Sequence, residues 1–163
     1  MRWGVLALCT GIGALLGKLF DLRKKKRVIL LQEIVSHCNF LRDGIAFHRK
    51  SLAQILDEIQ CMSKTQWRDI VRAFYNEITS SEPTEAKRFC RSAGLKEDEI
   101  RSLTSFFLML GKSDVSHQES LINSFKNTFE GYYEQARMDY EKTSKTYLKL
   151  GLLGGLAIGI MLA

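Results

Sequence analysis

The sequence is poor in residues that break helices or build reactive centres. It contains one proline, Pro83, together with three histidines and four cysteines. The cysteines form no CxxC pair and the histidines form no HExxH-like cluster, so no metal-ligand spacing is present. With so little proline and no alternating β-branched runs, the sequence predicts an all-α fold. We expect the cysteines to be small, buried apolar residues in a reducing compartment.

Charged side chains are missing from both ends of the chain. Residues 3–17 contain none, and neither does the final stretch "LGLLGGLAIGIMLA". Counted to Leu22, the first segment gives about 30 Å of helix, and the last, counted from Tyr147, gives about 25 Å. The sequence therefore predicts a membrane helix at 1–22, a cytoplasmic helical domain at 23–146 and a short membrane helix at 147–163. A buried core helix is the alternative for the first segment.

The positive charge is concentrated beside the first apolar segment. The net charge is +6, yet residues 28–146 hold 16 Lys/Arg against 17 Asp/Glu. A secretory signal peptide would carry its charge before the apolar run, and a nucleic-acid-binding domain would spread it over a folded face. The position of the charge, in one block after the apolar run, argues against both classes. The positive-inside rule predicts that residues 23–146 are cytoplasmic and that both termini lie on the opposite side. The basic segment consists of Arg23, Lys24, Lys25, Lys26 and Arg27.

Glycines recur at intervals of four residues in both apolar ends. In a membrane helix this spacing places small residues on one face and lets two backbones approach closely, although glycine is also generally frequent in such helices. The stretch "GIGALLGKL" is not a phosphate-binding loop, because it has one residue too many between its glycines and Leu19 where a hydroxyl is required. The predicted helix-packing residues are Gly13, Gly17, Gly151, Gly155 and Gly159.

The middle of the chain is predicted to form an antiparallel helical bundle. Apolar residues recur every three or four positions from Val28 to about Phe47 and again from Leu52. A capping box of Ser63 and Gln66 predicts the next helix start, and further helices end at Gly94 and Gly111. The last helix is long and is predicted to continue into the apolar tail. The predicted core is Leu31, Val35, Cys38, Leu41, Ile45, Leu52, Ile55, Leu56, Ile59, Trp67, Ile70, Val71, Phe74, Ile78, Leu103, Phe106, Phe107, Leu110, Leu121, Ile122, Phe125, Phe129, Tyr132, Ala136 and Tyr140.

Three stretches resemble one known family. "FFLMLGKSDVSHQESLINSF" has an apolar run, Leu-Gly, a following Asp and a Gln four residues on, which are Gly111, Asp114 and Gln118. The stretches "EIVSHCNFLRDGIAFHRKSLAQIL" and "YLKLGLLGGLAIGIMLA" fit the family's first cytoplasmic helix pair and its glycine-rich ending. Over nearly its whole length the sequence resembles the stage III sporulation protein AB family of endospore-forming bacteria.

The resemblance implies a non-enzymatic membrane subunit without cofactor, metal or small-molecule substrate. The family belongs to a mother-cell complex that joins a channel in the forespore septum. It is similar to the inner-membrane platform protein of type II secretion and type IV pilus systems. The implied partners are a cytoplasmic secretion-type ATPase, sporulation protein AA, and other membrane subunits of the channel.

Two questions stay open on the residues alone. A membrane-anchored scaffold or regulator that binds an unrelated cytoplasmic partner is the alternative function. For the turn after residue 110, we favour a structural role, in which Gly111 ends one helix and Asp114 or Ser116 begins the next. In the functional alternative, Asp114 and Gln118 contact the ATPase.

Overall fold

The computed structural model describes residues 2–46, 50–80, 85–112 and 114–162. Within these ranges it also describes the side chains, except those of residues 2–17, 20, 79–80 and most of 144–162. Every regular element in this described part is helical, which confirms the predicted all-α class. The six helices are α1 (Arg2–Ala46), α2 (Leu52–Met62), α3 (Trp67–Ser80), α4 (Ala86–Ser92), α5 (Glu97–Met109) and α6 (Val115–Leu162).

The chain divides into two compact units. The terminal unit combines Met1–Val28 with Gln135–Ala163, and the central unit is Ile29–Glu134. α1 and α6 contribute residues to both units, while α2 to α5 belong to the central unit alone. α6 continues to Leu162 without interruption, as the sequence predicts for the last helix. α1 likewise begins at Arg2, so no break separates the first apolar segment from the helix predicted at Val28.

The structure does not support the two predicted membrane helices. Among the residues it describes, no helix combines the length with the apolar character that crossing a bilayer requires. The division of the chain at residues 22 and 147 into membrane and cytoplasmic parts therefore stays a prediction from the sequence.

A continuous series of packed aromatic rings runs through the central unit. Phe107 of α5 stacks on Phe74 of α3, with ring centroids 4.5 Å apart. Its neighbour Phe106 stacks on Phe125 of α6 at 3.9 Å, and Phe125 contacts Phe129 at 4.4 Å. All five rings are buried, and each such pair adds about 0.5–1.5 kcal/mol beyond area burial. Two adjacent side chains of α5 therefore join α3 to α6.

Most of the predicted core is buried, and the exceptions show where the helix faces point. In α1 the buried stripe is centred on Ile34, which is fully buried, so Val35 and Ile45 are only half-buried. Ile78, near the end of α3, is 46% exposed, which makes its predicted core position wrong. The other predicted core residues that are only half-buried are Leu52, Leu121, Tyr132 and Tyr140.

The loop between α2 and α3 is held by a side chain of α1 instead of by the predicted capping box. Glu33 accepts hydrogen bonds from the Lys64 backbone N–H at 3.0 Å and from the Thr65 hydroxyl. Thr65 Oγ1 then accepts from the Trp67 N–H at 3.1 Å, which satisfies one donor at the start of α3. Ser63 is the C-cap of α2, and its buried hydroxyl has no partner. The Ser63–Gln66 box is therefore wrong, because the α1 carboxylate binds the loop that the box would have closed.

A capping box is present one helix earlier. Ser51 Oγ accepts from the Gln54 N–H at 3.3 Å, and Gln54 Oε1 accepts from the Ser51 N–H at 3.1 Å. This reciprocal pair begins α2. Farther along α2, Ile55 lies against the buried Gly44 of α1. A Cβ on Gly44 would lie 2.8 Å from Ile55 Cδ1, so any side chain here would force the fully buried Ile55 to shift.

We expect Gly44→Ala to lower the free energy of unfolding by about 1–2 kcal/mol, because the added methyl group overpacks a filled core at a cost that exceeds the helix preference of alanine. The measurement is the thermal unfolding of the full chain, followed by circular dichroism. Gly131→Ala is the matched control, since Gly131 lies in α6 with open space where its Cβ would be. Alanine is the better helix former there and should raise stability by up to about 1 kcal/mol. Equal effects of the two substitutions would contradict the close approach at Gly44.

Candidate functional site

The family-motif turn between α5 and α6 begins with a type II β-turn. Its first central residue, Leu110, has φ −64° and ψ 130°, and its second, Gly111, has φ 83°. The Lys112 N–H donates to the Met109 carbonyl at 3.3 Å and closes the turn. A type II turn needs positive φ at this second position, where glycine carries no penalty. Gly111 directly follows the C-cap of α5, which confirms its predicted structural place.

Gly111 is also needed for a second reason. A Cβ at this position would lie 3.0 Å from Leu52 Cδ2. Leu52 is the first residue of α2, directly after the Ser51 cap. The turn therefore lies against the start of α2.

The other two motif residues differ in exposure. Gln118 is 5% exposed, whereas Asp114 is exposed. The Gln118 N–H donates to the Asp114 carbonyl at 3.0 Å, so Asp114 stands at the N-cap position of α6. Gln118 is packed inside the unit and has no surface for a partner, which favours its structural role. Asp114 is accessible from solvent.

Large apolar side chains flank this turn on both sides and are exposed. Leu108 is 55% exposed, Met109 57% and Val115 53%. Their exposure follows from α5, where Phe106 and Phe107 take the buried face. Because a helix turns by about 100° per residue, the next two side chains must point away from that face. We call Leu108, Met109 and Val115 the turn patch. The sequence signal for it was the run of five apolar residues at 106–110, which is too long for one helix face.

The basic segment lies on α1 in the terminal unit, with unequal exposure along the helix. Arg23, Lys25 and Lys26 are exposed, while Lys24 and Arg27 are half-buried. Lys24 Nζ donates a hydrogen bond of 2.9 Å to Thr143 Oγ1 of α6, so the two helices of this unit are joined directly beside the basic segment.

The predicted helix-packing glycines lie in helical backbone. Gly13 and Gly17 belong to α1, and Gly151, Gly155 and Gly159 belong to α6. The side-chain surroundings of all five lie outside the described residues, so their role in packing stays a prediction.

The buried cysteines are shielded from thiol chemistry. Burial raises the pKa of both the Cys38 and the Cys90 thiol to about 12, so neither forms a thiolate at neutral pH. These two confirm the expected apolar role, but Cys61 is exposed and contradicts it. The side chain of Cys9 lies outside the described residues. Within the described part, no group of His, Cys, Asp and Glu is arranged to hold a metal ion.

The central unit contains a small cavity beside the aromatic rings. Its volume is about 20 Å³, and His37, Cys38 and Trp67 are among its lining residues. This volume admits a single water molecule and no larger ligand. Burial lowers the pKa of His37, although the nearby Glu33 carboxylate acts in the opposite direction. The cavity is therefore a packing defect of the core and not a substrate site.

The fold and these surfaces define an all-helical protein. Its distinctive features are the type II turn between α5 and α6 and the basic segment on α1. A family model, Stage III sporulation protein AB (spore_III_AB), matches residues 2–163. The chain therefore belongs to the stage III sporulation protein AB family, a sporulation family and not a known enzyme family. Neither curated proteins nor solved structures gave a match.

We expect Gly111→Ala to destabilise the protein more than Gly94→Ala. Both glycines have positive φ, at 83° and 82°. At Gly94 nothing lies within 4 Å of an added Cβ, so alanine costs only the conformational strain, about 1–2 kcal/mol. At Gly111 the contact with Leu52 adds a steric cost of similar size. Thermal unfolding of the two variants measures the difference, and an equal loss would show that the Leu52 contact is unimportant.

Thiol labelling at about pH 8 should separate the cysteines by burial. Cys61 should react at once, whereas Cys38 and Cys90 should react only on unfolding, with mass spectrometry assigning each label. The folded pKa of about 12 lies above the ordinary value of 9.0. The two thiols therefore leave stability unchanged below about pH 9 and lower it as pH rises towards 12. Rapid labelling of Cys38 in folded protein would contradict its burial.

Proposed function

We propose that the chain is a non-enzymatic platform subunit of a sporulation channel and that its central unit docks a cytoplasmic secretion-type ATPase. Family membership supports the sporulation role. The observation that carries the docking role is the turn patch, since Leu108, Met109 and Val115 expose more than half of their side chains. Three exposed apolar side chains within eight residues of one turn make this turn a candidate interaction site. The family resemblance supplies the partner, sporulation protein AA, and the similarity to type II secretion and type IV pilus platforms.

The motif residues support this reading by shaping the patch. Gly111 permits the type II turn and the contact with Leu52. Gln118 is buried in the first turns of α6. In this proposal Gly111 and Gln118 are positioning residues at the two ends of the turn that carries the patch. Asp114 is exposed beside Val115 and is the one motif residue available for a polar contact.

Membrane anchoring is part of the same proposal. Its support comes from the uncharged ends of the sequence and from the basic residues that follow the first apolar segment and precede the second. In this arrangement residues 23–146 lie in the cytoplasm on the mother-cell side of the forespore septum, and both termini lie on the opposite side. The hydrogen bond from Lys24 to Thr143 joins α1 and α6 where the two anchors would enter the membrane. Other channel subunits would then meet the anchors while the ATPase meets the turn patch.

Met109→Glu should lower copurification with the ATPase on the order of tenfold or more, because a charge would be buried in an apolar contact. Full-length chain and tagged ATPase are co-expressed, and the retained chain is quantified. Met62→Glu is the matched control. Met62 is also the last residue of its helix and is 47% exposed, close to the 57% of Met109. Neither change should shift the melting temperature appreciably, since both side chains face solvent.

Retention of the ATPase by Met109→Glu at the wild-type level would contradict docking at the turn patch. Loss of the ATPase by Asp114→Ala without loss of thermal stability would add Asp114 to the contact. Wild-type chain that recovers no ATPase, but a different cytoplasmic protein from sporulating cells, would support the scaffold alternative.

A further inference from the structure

Charge is divided unequally between the two units. The residues of the terminal unit, 1–28 and 135–163, contain 11 Lys/Arg and 3 Asp/Glu, a net charge of +8. The central unit, 29–134, contains 13 and 15, a net charge of −2. The whole positive excess of the chain therefore belongs to the terminal unit, where a long-range attraction for anions is concentrated.

One face of α1 in this unit combines exposed leucines with exposed cations. Leu19 is 56% exposed and Leu22 is 42% exposed. Arg23 and Lys26 are exposed as well. Positions 19, 22, 23 and 26 are spaced by three, four and seven residues, so they lie on the same side of the helix. Lys25 is exposed beside them.

The opposite side of the same helix turns inward. Asp21, Lys24 and Val28 are half-buried, and Lys24 is bound to Thr143 of α6 at 2.9 Å. Asp21 is the only acidic residue of the segment 18–27. Because it lies on the inward side, Asp21 is a helix-surface neighbour of Lys25, four residues on, but not of the outward Arg23 and Lys26.

We propose that this outward face, formed by Leu19, Leu22, Arg23, Lys25 and Lys26, binds anionic phospholipid headgroups. The inference rests on the membrane location in the proposed function, but not on the ATPase. Cations meet the lipid phosphate while the leucines enter the boundary between headgroups and acyl chains, and long basic side chains reach back to the headgroups. A nucleic acid or an acidic protein surface would match the charge and leave the two leucines without an apolar partner. A lipid surface offers anionic phosphates to the cations and, directly beside them, acyl chains to the leucines.

The test uses the full chain purified in a neutral detergent and mixed with equal amounts of phosphatidylcholine and phosphatidylglycerol. The lipids retained on the protein are quantified by mass spectrometry. Wild-type chain should retain phosphatidylglycerol in excess, and the excess should fall at high salt. In Arg23→Gln/Lys25→Gln/Lys26→Gln, affinity for the anionic lipid should fall about five-fold for each cation, on the order of 100-fold together. Lys24 is left in place to keep its bond to Thr143.

A control removes the same charge from the central unit. Arg72→Gln/Lys87→Gln/Arg88→Gln replaces three exposed cations and should retain lipid as wild-type chain does. Leu19→Ser/Leu22→Ser should keep the preference for phosphatidylglycerol but lower the total retained lipid about tenfold at high salt, where headgroup attraction is screened. An excess of soluble glycerol phosphate should not displace the lipid, because it has no acyl chain for the leucines to contact.

Three results would overturn the proposal. They are a retained lipid ratio equal to the input ratio in wild-type chain, equal losses in the two triple variants, or full displacement by soluble glycerol phosphate. Carbonate extraction of membranes tests the anchoring separately. If the chain is extracted and yet prefers phosphatidylglycerol, the anchors of the proposed function fail while the headgroup site stands. If the chain resists extraction but shows no lipid preference, the anchors of the proposed function stand and the headgroup site fails.

Discussion

The central unit depends on the adjacent pair Phe106 and Phe107, which face two different helices. Phe107 stacks on Phe74 of α3 and Phe106 on Phe125 of α6, so rotation of α5 about its axis would break both contacts. This double constraint fixes the outward direction of Leu108 and Met109. The turn patch is therefore a geometric result of the core, because the same helix phase that buries two phenylalanines exposes the next two apolar residues.

Besides the aromatic rings, three local contacts connect α2 to other parts of the central unit. Gly44 lets α1 approach Ile55 of α2, and Gly111 lets the α5–α6 turn approach Leu52 at the start of α2. Glu33 of α1 binds the loop that leads from α2 to α3. α2 is consequently held at its beginning, its middle and its end by residues outside it. These contacts connect the α5–α6 turn to α2, and α2 to α1.

The helices and most of the core could be predicted from apolar spacing, because a buried stripe repeats every three or four residues whatever it packs against. The positive φ of Gly111 could be predicted for the same reason, since the requirement is local. The Ser63–Gln66 cap could not be judged locally, because Glu33, thirty residues earlier in the chain, competes for the same loop. The turn patch was missed since spacing reveals which residues repeat on one face, but not which face of a crowded apolar run is buried. The family assignment needed the order of features along the whole chain, which no single helix carries.

The position of Phe125 late in the chain has a consequence for synthesis. Phe125 lines the same cavity as Ile34 and Cys38 of α1, so an early helix is completed by a side chain that leaves the ribosome about ninety residues later. Until α6 emerges, the buried stripe of α1 has only part of its cover. Contacts between such distant segments close slowly compared with neighbouring helix pairs such as α2 and α3. The final assembly of the central unit is therefore a late event that waits for α6.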